Sequence, residues 1–449
     1  MGRYFGTDGF RGEANVDLNV NHAYKIGRYL GYYFGKERPA KVVIAKDTRL
    51  SGYMFEYALV SGLMASGAMT YLLHVSPTPS VSYTVARGHF DCGIMISASH
   101  NPFYDNGIKI IDSEGSKLSP EIENKIEEYF DEMVDSLPFA TKDKIGKTID
   151  YEAGRTRYVR YLGSLPECRF DGMKIALDCG NGAASALAKP LFDRLGAETY
   201  VIHNQPNGMN INLNCGSTNL SDLSEYVVNN GFDVGFAYDG DADRCFAVDE
   251  NGNKIDGDMI MYMAARFLKS KGKLTNNTVV ATVTSNLGLN LALKDNDINL
   301  IQTDVGDRNV ALEMFNNGYA IGGEQSGHII FGEYAKTGDG LMTSLMIADI
   351  MRQEDKALSE LVSGISIYPQ LTVNVPVSDK KAAHNEPELL AEEQKILKEM
   401  NGKGRIYLRE SGTEPVLRIM VEALTDELCH SYANRLKDIL INKGYKKEG

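Results

Sequence analysis

The sequence predicts an α/β protein with three consecutive α/β domains and a smaller C-terminal α+β domain. The chain has 449 residues, which at roughly 150 residues per domain is enough for about three domains with sizeable cores. Short apolar runs rich in β-branched residues alternate with longer stretches of helical period, which is typical of α/β domains. This alternation ends near residues 363–369, where a different order of strands and helices begins.

The alternation of strands and helices starts three times along the chain. The first series of predicted elements covers 41–45, 54–65, 70–75 and 91–97. The second series covers 173–177, 184–195 and 232–238, and the third covers 278–283, 287–294 and 300–303. After these, strands are predicted at 370–377, 404–408 and 416–422, and helices at 383–401 and 426–442.

Turn-rich or polar stretches separate these series and mark candidate domain boundaries. They lie at 137–150, 249–257 and 363–369. The sequence therefore predicts domains at 1–150, 151–252, 253–366 and 367–449.

Composition and charge exclude several classes of function. The chain carries 47 basic and 60 acidic residues, a net charge of −13, so phosphate backbones and anionic membranes would repel it. Six cysteines without paired or zinc-ligand spacing indicate buried thiols in a reducing compartment. The N-terminus lacks the apolar core of a signal peptide, and no apolar run reaches the ~18 residues of a membrane span. We expect a cytoplasmic protein that binds neither nucleic acid nor membrane.

Three aspartates follow the apolar run 232–238, at the end of a predicted strand. Asp239, Asp241 and Asp243 would repel one another unless a cation lies among them, and Mg²⁺ prefers such oxygen ligands. One alternative is a solvated acidic turn. Another is a phosphatase that forms an aspartyl phosphate on Asp239. A calcium-binding EF-hand is excluded because Arg244 occupies its required glycine and the flanks are strand-like.

A second polar segment, Ser-Ala-Ser-His-Asn-Pro at 97–102, follows the predicted strand 93–96. A serine on a tight turn beside His100 is a candidate nucleophile or phosphate carrier. Taken alone, the segment is also typical of a turn or a helix cap. The Gly-x-Ser-x-Gly elbow of serine hydrolases is absent. Lys109 follows on the apolar run 107–111 and is close enough in sequence to reach the same edge.

Three further segments combine glycine with polar residues. The segment 409–415, with Arg418 beyond it, offers backbone N–H donors and arginines suited to a phosphate dianion. The segment 322–328 has glycines on either side of Glu324, Gln325 and Ser326, an arrangement suited to sugar hydroxyls. The segment 6–9 leads to Arg11. Each of the three is also compatible with a polar turn or a glycine-rich hairpin.

Together, five segments resemble the α-D-phosphohexomutase family. They are GTDGFRG at 6–12, SASHNP at 97–102, DGDADR at 239–244, GGEQSGH at 322–328 and RESGTEP at 409–415, in the order of the family and spread over nearly the whole chain. The resemblance implies three α/β mixed-sheet domains and a smaller C-terminal domain around a central cleft.

The resemblance also implies a role for each matching residue. Ser99 would be the phosphoserine, and its phosphate would complete a site for one Mg²⁺ with Asp239, Asp241 and Asp243. The other implied roles are as follows: Arg11, His100 and Lys109 at the transferring phosphoryl group, Arg244 beside the metal loop, Glu324 and Ser326 at sugar hydroxyls, His328 in proton transfer, Asp307 and Arg308 in a specificity loop, and Arg409, Ser411, Gly412, Thr413 and Arg418 as the clamp for the phosphate that does not react.

The implied substrate is a small sugar phosphate. Gln325 favours glucosamine phosphates, because glucose and mannose mutases of the family usually have Met there. The implied reaction converts glucosamine 6-phosphate to glucosamine 1-phosphate through a 1,6-bisphosphate and feeds UDP-N-acetylglucosamine and cell-wall precursors. Ala242 stands where many relatives have Gly, and Glu410 has no assigned role.

Two other interpretations stay open at the level of sequence. One is a glucose or mannose phosphate mutase. The other is a phosphosugar phosphatase or binding protein without mutase turnover, against which the intact Ser99 and the full aspartate set argue. We expect a monomer or a homodimer.

Overall fold

The computed structural model describes residues 3–6, 8–132, 134–411 and 415–445. Within these residues the chain forms four β-sheets, of seven, five, four and three strands. Helices connect parallel strands in the first three sheets, so the predicted α/β class is confirmed. Two compact units result: residues 1–284 and 298–363 carry the first three sheets, and residues 285–297 and 364–449 carry the fourth.

The first sheet is mixed and has the strand order β1-β2-β6-β5-β3-β4-β7. Its strands are β1 (Phe5–Gly6), β2 (Gly9–Glu13), β3 (Lys41–Lys46), β4 (Met69–Val75), β5 (Cys92–Ile96), β6 (Asp105–Asp112) and β7 (Lys147–Asp150). The helices of this region are α1 (Val20–Phe34), α2 (Gly52–Ala65), α3 (Thr78–Gly88), α4 (Pro120–Phe130) and α5 (Glu152–Leu162).

Both faces of this sheet are buried, which is why β3 reads as a continuous apolar run. Val42 and Ile44 belong to one apolar cluster, whereas Val43 and Ala45 belong to a cluster on the opposite face. The helices α1 and α2 cross closely over the first of these clusters. A Cβ atom on Gly62 would lie 2.1 Å from the carbonyl oxygen of Tyr24, so glycine is required at this crossing.

The second sheet has the order β12-β11-β10-β8-β9. Its elements are β8 (Lys174–Asp178), α6 (Ala188–Arg194), β9 (Glu198–Ile202), α7 (Ser221–Asn230), β10 (Val234–Tyr238), β11 (Cys245–Asp249) and β12 (Lys254–Ile255). The helix predicted from residue 184 begins at Ala188 instead, because residues 180–187 form turns. Two short-range bonds close these turns, from Gly182 N to the Cys179 carbonyl and from Leu187 N to the Ala184 carbonyl.

The third sheet has the order β14-β13-β15-β16. The elements of this region are α8 (Gly257–Ser270), β13 (Thr278–Thr282), β14 (Asn299–Thr303), α10 (Asp307–Asn317), β15 (Ile321–Gly323), β16 (Ile329–Phe331), α11 (Gly340–Glu354) and α12 (Leu358–Leu361). The intervening helix α9 (Leu287–Asp295) belongs instead to the C-terminal unit, where Leu287 N donates to Glu422 at 3.0 Å.

The C-terminal sheet is antiparallel, with β17 and β18 on either side of β19. Its elements are β17 (Gln370–Pro376), α13 (Lys380–His384), α14 (Pro387–Met400), β18 (Arg405–Glu410), β19 (Val416–Glu422) and α15 (Asp426–Asn442). The helix predicted at 383–401 is confirmed over Pro387–Met400, but its first residues, 383 and 384, belong to a separate short helix. Proline disfavours helical backbone in the residue before it, and Glu386, at ψ 119°, separates two helices.

Among the described helices, none combines the length and the apolar character that a membrane crossing requires.

Candidate active site

Ser99 lies three residues beyond β5, at the carboxyl end of a central strand of the first sheet. Its backbone is left-handed, with φ 53°, and its side chain is fully buried. The Ser99 hydroxyl donates to Oδ2 of Asp239 at 2.6 Å and lies 3.3 Å from Nδ1 of His100. The predicted serine and the first predicted aspartate are therefore in direct contact, although 140 residues separate them.

The aspartates lie on the turn between β10 and β11, which pair as an antiparallel hairpin. One carboxylate oxygen from each of Asp239, Asp241 and Asp243 lies within 4.8 Å of the others, and all three side chains are buried. The solvated acidic turn is therefore excluded, and the flanking strands confirm that this loop is no EF-hand. Ala242 has φ 51°, a left-handed conformation that favours glycine.

Burial and mutual repulsion shift the ionisation of this cluster. Burial, and then the charges of Asp243 and Asp241, raise the pKa of Asp239 well above its ordinary value. Burial also opposes ionisation of Asp241 and Asp243. Lys109 together with Thr78 nevertheless lowers the pKa of Asp241, and Lys109 together with His328 and Arg244 lowers that of Asp243. Lys109 Nζ lies 2.7 Å from Asp241 and 3.2 Å from Asp243, so this predicted residue does reach the site from β6.

Two carboxylate oxygens of the cluster accept no hydrogen bond from the described residues. Oδ1 of Asp241 and Oδ1 of Asp243 are buried and have no hydrogen-bond partner among the described residues. Unpaired buried carboxylate oxygens are costly unless a cation coordinates them. The donor set and its geometry therefore fit a hard divalent cation such as Mg²⁺.

Arginine and histidine side chains surround the Ser99 hydroxyl. Arg244 donates from Nη1 to Nδ1 of His100 at 3.2 Å. Burial, followed by the charges of Arg244 and Arg11, lowers the pKa of His100 to about 4, so this imidazole is neutral at pH 7. Arg11, on β2, is paired with Asp8, and its buried Nε has no hydrogen-bond partner in the described part of the chain. It is therefore able to donate to an anion.

His328 connects the aspartate cluster to the third domain. Its Nδ1 lies 3.8 Å from Asp243, and its Nε2 accepts a hydrogen bond from Gly338 N at 2.9 Å. The ring proton therefore lies on Nδ1, facing Asp243. Asp307, 3.6 Å from Nε2, accepts from Lys117 at 2.7 Å. The sequence did not single out Lys117, whose contact with Asp307 joins the first and third domains and which also contacts Asp8 within the first.

The predicted sugar loop forms the turn between β15 and β16. Oε1 of Glu324 accepts from Gly306 N at 3.2 Å, and the amide of Gln325 donates to Asp256 at 3.3 Å. The buried hydroxyl of Ser326 has no partner among the described residues, which leaves it available to a ligand. The guanidinium of Arg308 donates to the Leu118 carbonyl and to Glu123.

The predicted phosphate clamp lies in the C-terminal unit. Arg409 and Arg418 are direct cross-strand neighbours on β18 and β19, which brings two cationic residues side by side. Ser411 follows β18 and is buried, and its carbonyl accepts from Lys380 at 2.6 Å. Gly412 and Thr413 lie outside the described residues. Glu410, which had no predicted role, lies 3.3 Å from Nδ1 of His384.

Sequence reasoning missed the residues that hold the Ser99 loop in place. The fully buried Arg49 donates to the carbonyls of Ser99 at 2.9 Å and Asn101 at 2.8 Å. Asn212, from the second domain, donates to the same two carbonyls at 2.9 and 3.2 Å. Asp47 completes the support, since it accepts from Arg49 and from the Ser97 hydroxyl.

A weak signal for these residues exists in the sequence. Asp47 and Arg49 are charged residues directly after the apolar strand β3, at the same sheet edge as Ser99. Asn212 lies in an irregular loop, and no sequence pattern indicates its contact.

Comparison with known proteins agrees with this geometry. Sequence models described as phosphoglucomutase/phosphomannomutase alpha/beta/alpha domains I, II and III match residues 2–135, 156–252 and 256–368, and the C-terminal domain of the same family matches residues 373–439. The chain is similar to a phosphoglucosamine mutase of Lachnoclostridium phytofermentans, with 55% identity over 447 residues and 100% of both chains covered. A phosphoglucosamine mutase of Bacillus pumilus is 48% identical over 442 residues, with 98% of both covered.

Two solved structures share the fold. A phosphoglucomutase/phosphomannomutase family protein from Burkholderia thailandensis superposes with a TM-score of 0.81 at 22% identity, covering 100% of this chain and 99% of the other. N-acetylphosphoglucosamine mutase of Aspergillus fumigatus, solved in complex with GlcNAc-6P and magnesium, gives a TM-score of 0.63 at 17% identity, covering 99% and 96%.

The left-handed backbone at Ala242 yields a test of the aspartate loop. Replacing Ala242 by Gly removes the steric cost of a Cβ atom at φ 51°, so we expect it to raise the free energy of unfolding by about 1 kcal/mol. The control is Ala86→Gly on the exposed face of α3, which we expect to lower it by about 1 kcal/mol. Thermal unfolding midpoints measure both. Shifts of the two variants in the same direction would contradict the assigned backbone.

Proposed function

Because the chain belongs to the phosphoglucomutase/phosphomannomutase family, we propose that it is an isomerase, a phosphoglucosamine mutase that interconverts glucosamine 6-phosphate and glucosamine 1-phosphate. The observation that carries this proposal is the contact between the Ser99 hydroxyl and Asp239 inside a buried cluster of three carboxylates. Curated relatives that are 48 to 55% identical over nearly their full length bear that name.

In the proposed reaction Ser99 carries a phosphoryl group. The bond from Ser99 Oγ to phosphorus breaks as a sugar hydroxyl oxygen of glucosamine 6-phosphate attacks, and the hydroxyl proton passes to a base. Ser99 Oγ takes up a proton as it leaves. In the second transfer Ser99 Oγ attacks the phosphorus carried on O6 of the 1,6-bisphosphate and gives its proton to a base, while the bond from O6 to phosphorus breaks and O6 takes up a proton. Glucosamine 1-phosphate is then released. Transfer of this kind needs mainly alignment and charge neutralisation, which Lys109, Arg244 and Arg11 are placed to supply.

The neutral His100 suits a place beside the reacting serine. An imidazolium there would add a charged partner for the phosphate, whereas the neutral ring accepts from Arg244 and leaves the hydroxyl bonded to Asp239. We assign His328 to proton transfer through Nδ1, and Glu324 and Ser326 to the sugar hydroxyls. The unpartnered hydroxyl of Ser326, in the described part of the chain, supports the last assignment.

Asp239, Asp241 and Asp243, together with the phosphate on Ser99, would hold one Mg²⁺. When bound, this ion neutralises negative charge on the transferring group. The two unpaired oxygens of Asp241 and Asp243 support this assignment. In the C-terminal unit, the neighbouring Arg409 and Arg418 support the assignment of a phosphate clamp. We place the enzyme in the cytoplasm, as a monomer or homodimer acting on small sugar phosphates.

The second candidate is a mutase for glucose or mannose phosphates, favoured by the description of the family models that match all four domains. A coupled assay that compares turnover of glucosamine, glucose and mannose 6-phosphates distinguishes the two. We expect the highest kcat/KM for glucosamine 6-phosphate. Faster turnover of either other sugar would replace our proposal, and net release of inorganic phosphate would indicate a phosphatase instead.

Replacing Ser99 by Ala removes the atom that carries phosphate. We expect turnover to fall by at least about 10³-fold, as for loss of other covalent nucleophiles, while the variant still folds. Intact-mass analysis should detect one added phosphate per chain after incubation of the wild type with glucose 1,6-bisphosphate and none in the variant. The control is Ser61→Ala on the exposed face of α2. Normal turnover of Ser99→Ala would refute the phosphoserine.

Asp241→Asn keeps the shape of the carboxylate but removes its charge. We expect the Mg²⁺ concentration for half-maximal activity to rise by about 10- to 100-fold, since even indirect partners of metal ligands have effects of that size. Asp131→Asn, a change at an exposed aspartate, serves as the control. Titration of the chelator-treated enzymes with Mg²⁺ measures the effect, and identical titration curves for all three proteins would exclude this metal site.

Arg49 is a positioning residue, because it acts through the backbone of the Ser99 loop. Arg49→Ala should lower kcat by about 10²-fold with little change in KM, since a displacement near 1 Å at the reacting atom has an effect of that order. Lysine cannot make the same set of bonds, so Arg49→Lys should restore only part of kcat. A change confined to KM would show that Arg49 acts on substrate binding instead.

A further inference from the structure

The second domain contains a cluster of potential metal ligands outside the site described above. Asp178 is the last residue of β8, His203 directly follows β9, and Cys215 precedes the turn 216–218. One ligand atom from each residue lies within 4.8 Å of the others. Since β8 and β9 are parallel neighbours, Asp178 and His203 extend from the carboxyl edge of the sheet, where ligands of α/β proteins bind.

We propose that Asp178, His203 and Cys215 bind a divalent transition-metal ion of the zinc class. Thiolate, imidazole and carboxylate are the donors that Zn²⁺ and Co²⁺ prefer, whereas Mg²⁺ avoids sulfur. Three protein ligands leave the fourth tetrahedral position to water. This site is independent of the proposed mutase reaction and uses none of its residues.

The orientation of His203 supports the proposal. Its buried Nδ1 atom lies 3.1 Å from Oδ2 of Asp178. Even so, Nδ1 has no partner of acceptable hydrogen-bond geometry within the described residues. The 3.1 Å separation of these two atoms is that of two neighbouring ligands of one ion. The Asp178 side chain is fully buried and that of His203 is 26% exposed.

Each of the three proposed ligands also contacts a further polar group, as metal ligands usually do. Nε2 of His203 lies 3.3 Å from a carboxylate oxygen of Asp222, which would orient the imidazole with Nδ1 toward the metal. The Asp178 carboxylate accepts from Gly180 N and Gly216 N, both at 2.9 Å. The amide of Asn181 donates to Sγ of Cys215 at 3.9 Å, a contact that would stabilise a thiolate.

This assignment revises the interpretation of the cysteines made from sequence spacing. Cys215 is indeed a buried thiol, and burial raises its pKa to about 12, so without metal it is protonated. Binding of the ion would release that proton, which makes affinity increase with pH. The competing explanation is an ordinary ion pair of His203 with Asp178 and Asp222, in which Cys215 takes no part.

Titration of the full-length chain with Co²⁺ separates these explanations, because cobalt bound to a thiolate absorbs in the near ultraviolet through sulfur-to-metal charge transfer. We expect this band, with tetrahedral visible bands, to saturate at one Co²⁺ per chain and to be displaced by Zn²⁺. Co²⁺ bound to the all-oxygen aspartate cluster would produce no such band. Absence of the band in the wild type would overturn the proposal.

Variants assign the band to its ligands. Cys215→Ser should abolish it, and the matched control Cys179→Ser, at a buried cysteine next to Asp178, should retain it. A band that persists in Cys215→Ser would refute the site. If that variant does not fold, Asp222→Asn provides the test: it should weaken Co²⁺ binding by about 10- to 100-fold while keeping the shape of the band. Unchanged Co²⁺ affinity in Asp222→Asn would favour the ordinary ion pair.

Discussion

The packing of three like charges into one buried turn is the constraint on which the rest of this site depends. Asp239, Asp241 and Asp243 repel one another where little water screens them. The protein offsets that repulsion with Lys109 from β6 and the hydroxyl of Ser99 beyond β5, both in the first domain. The charge balance of the second domain therefore requires the first domain, and the same contacts bring the Ser99 hydroxyl and the aspartate cluster together.

The site also depends on an unusual backbone conformation at two of its residues. Ser99 and Ala242 both have left-handed backbones, which residues with side chains adopt at a cost. Such conformations persist only where the surroundings determine them, and here Arg49 and Asn212 both donate to the carbonyls of Ser99 and Asn101. These supporting residues bond to the backbone of the loop and make no contact with the hydroxyl, which explains why motifs alone did not reveal them.

In the fold, too, the sequence predicts features that depend on neighbouring residues and misses those that depend on distant contacts. The strand at β3 and the final helix α15 were predicted well, because their patterns reflect local burial and period. The start of the helix at 383–401 was wrong since periodicity outweighed a proline signal that was present at Pro387. Assignment of α9 to the C-terminal unit had no sequence signal, because it depends on contacts such as that of Leu287 with Glu422.

The sequence alone determined the α/β class, the turn with three aspartates and the serine beside His100, since these features are patterns of neighbouring residues. Only the tertiary structure decided that the serine hydroxyl meets Asp239 and that Arg308 turns toward Glu123. It also decided that Cys215 lies with His203 and Asp178. The physical reason is that these contacts join residues distant in sequence, and their geometry depends on how sheets and loops pack rather than on any local period.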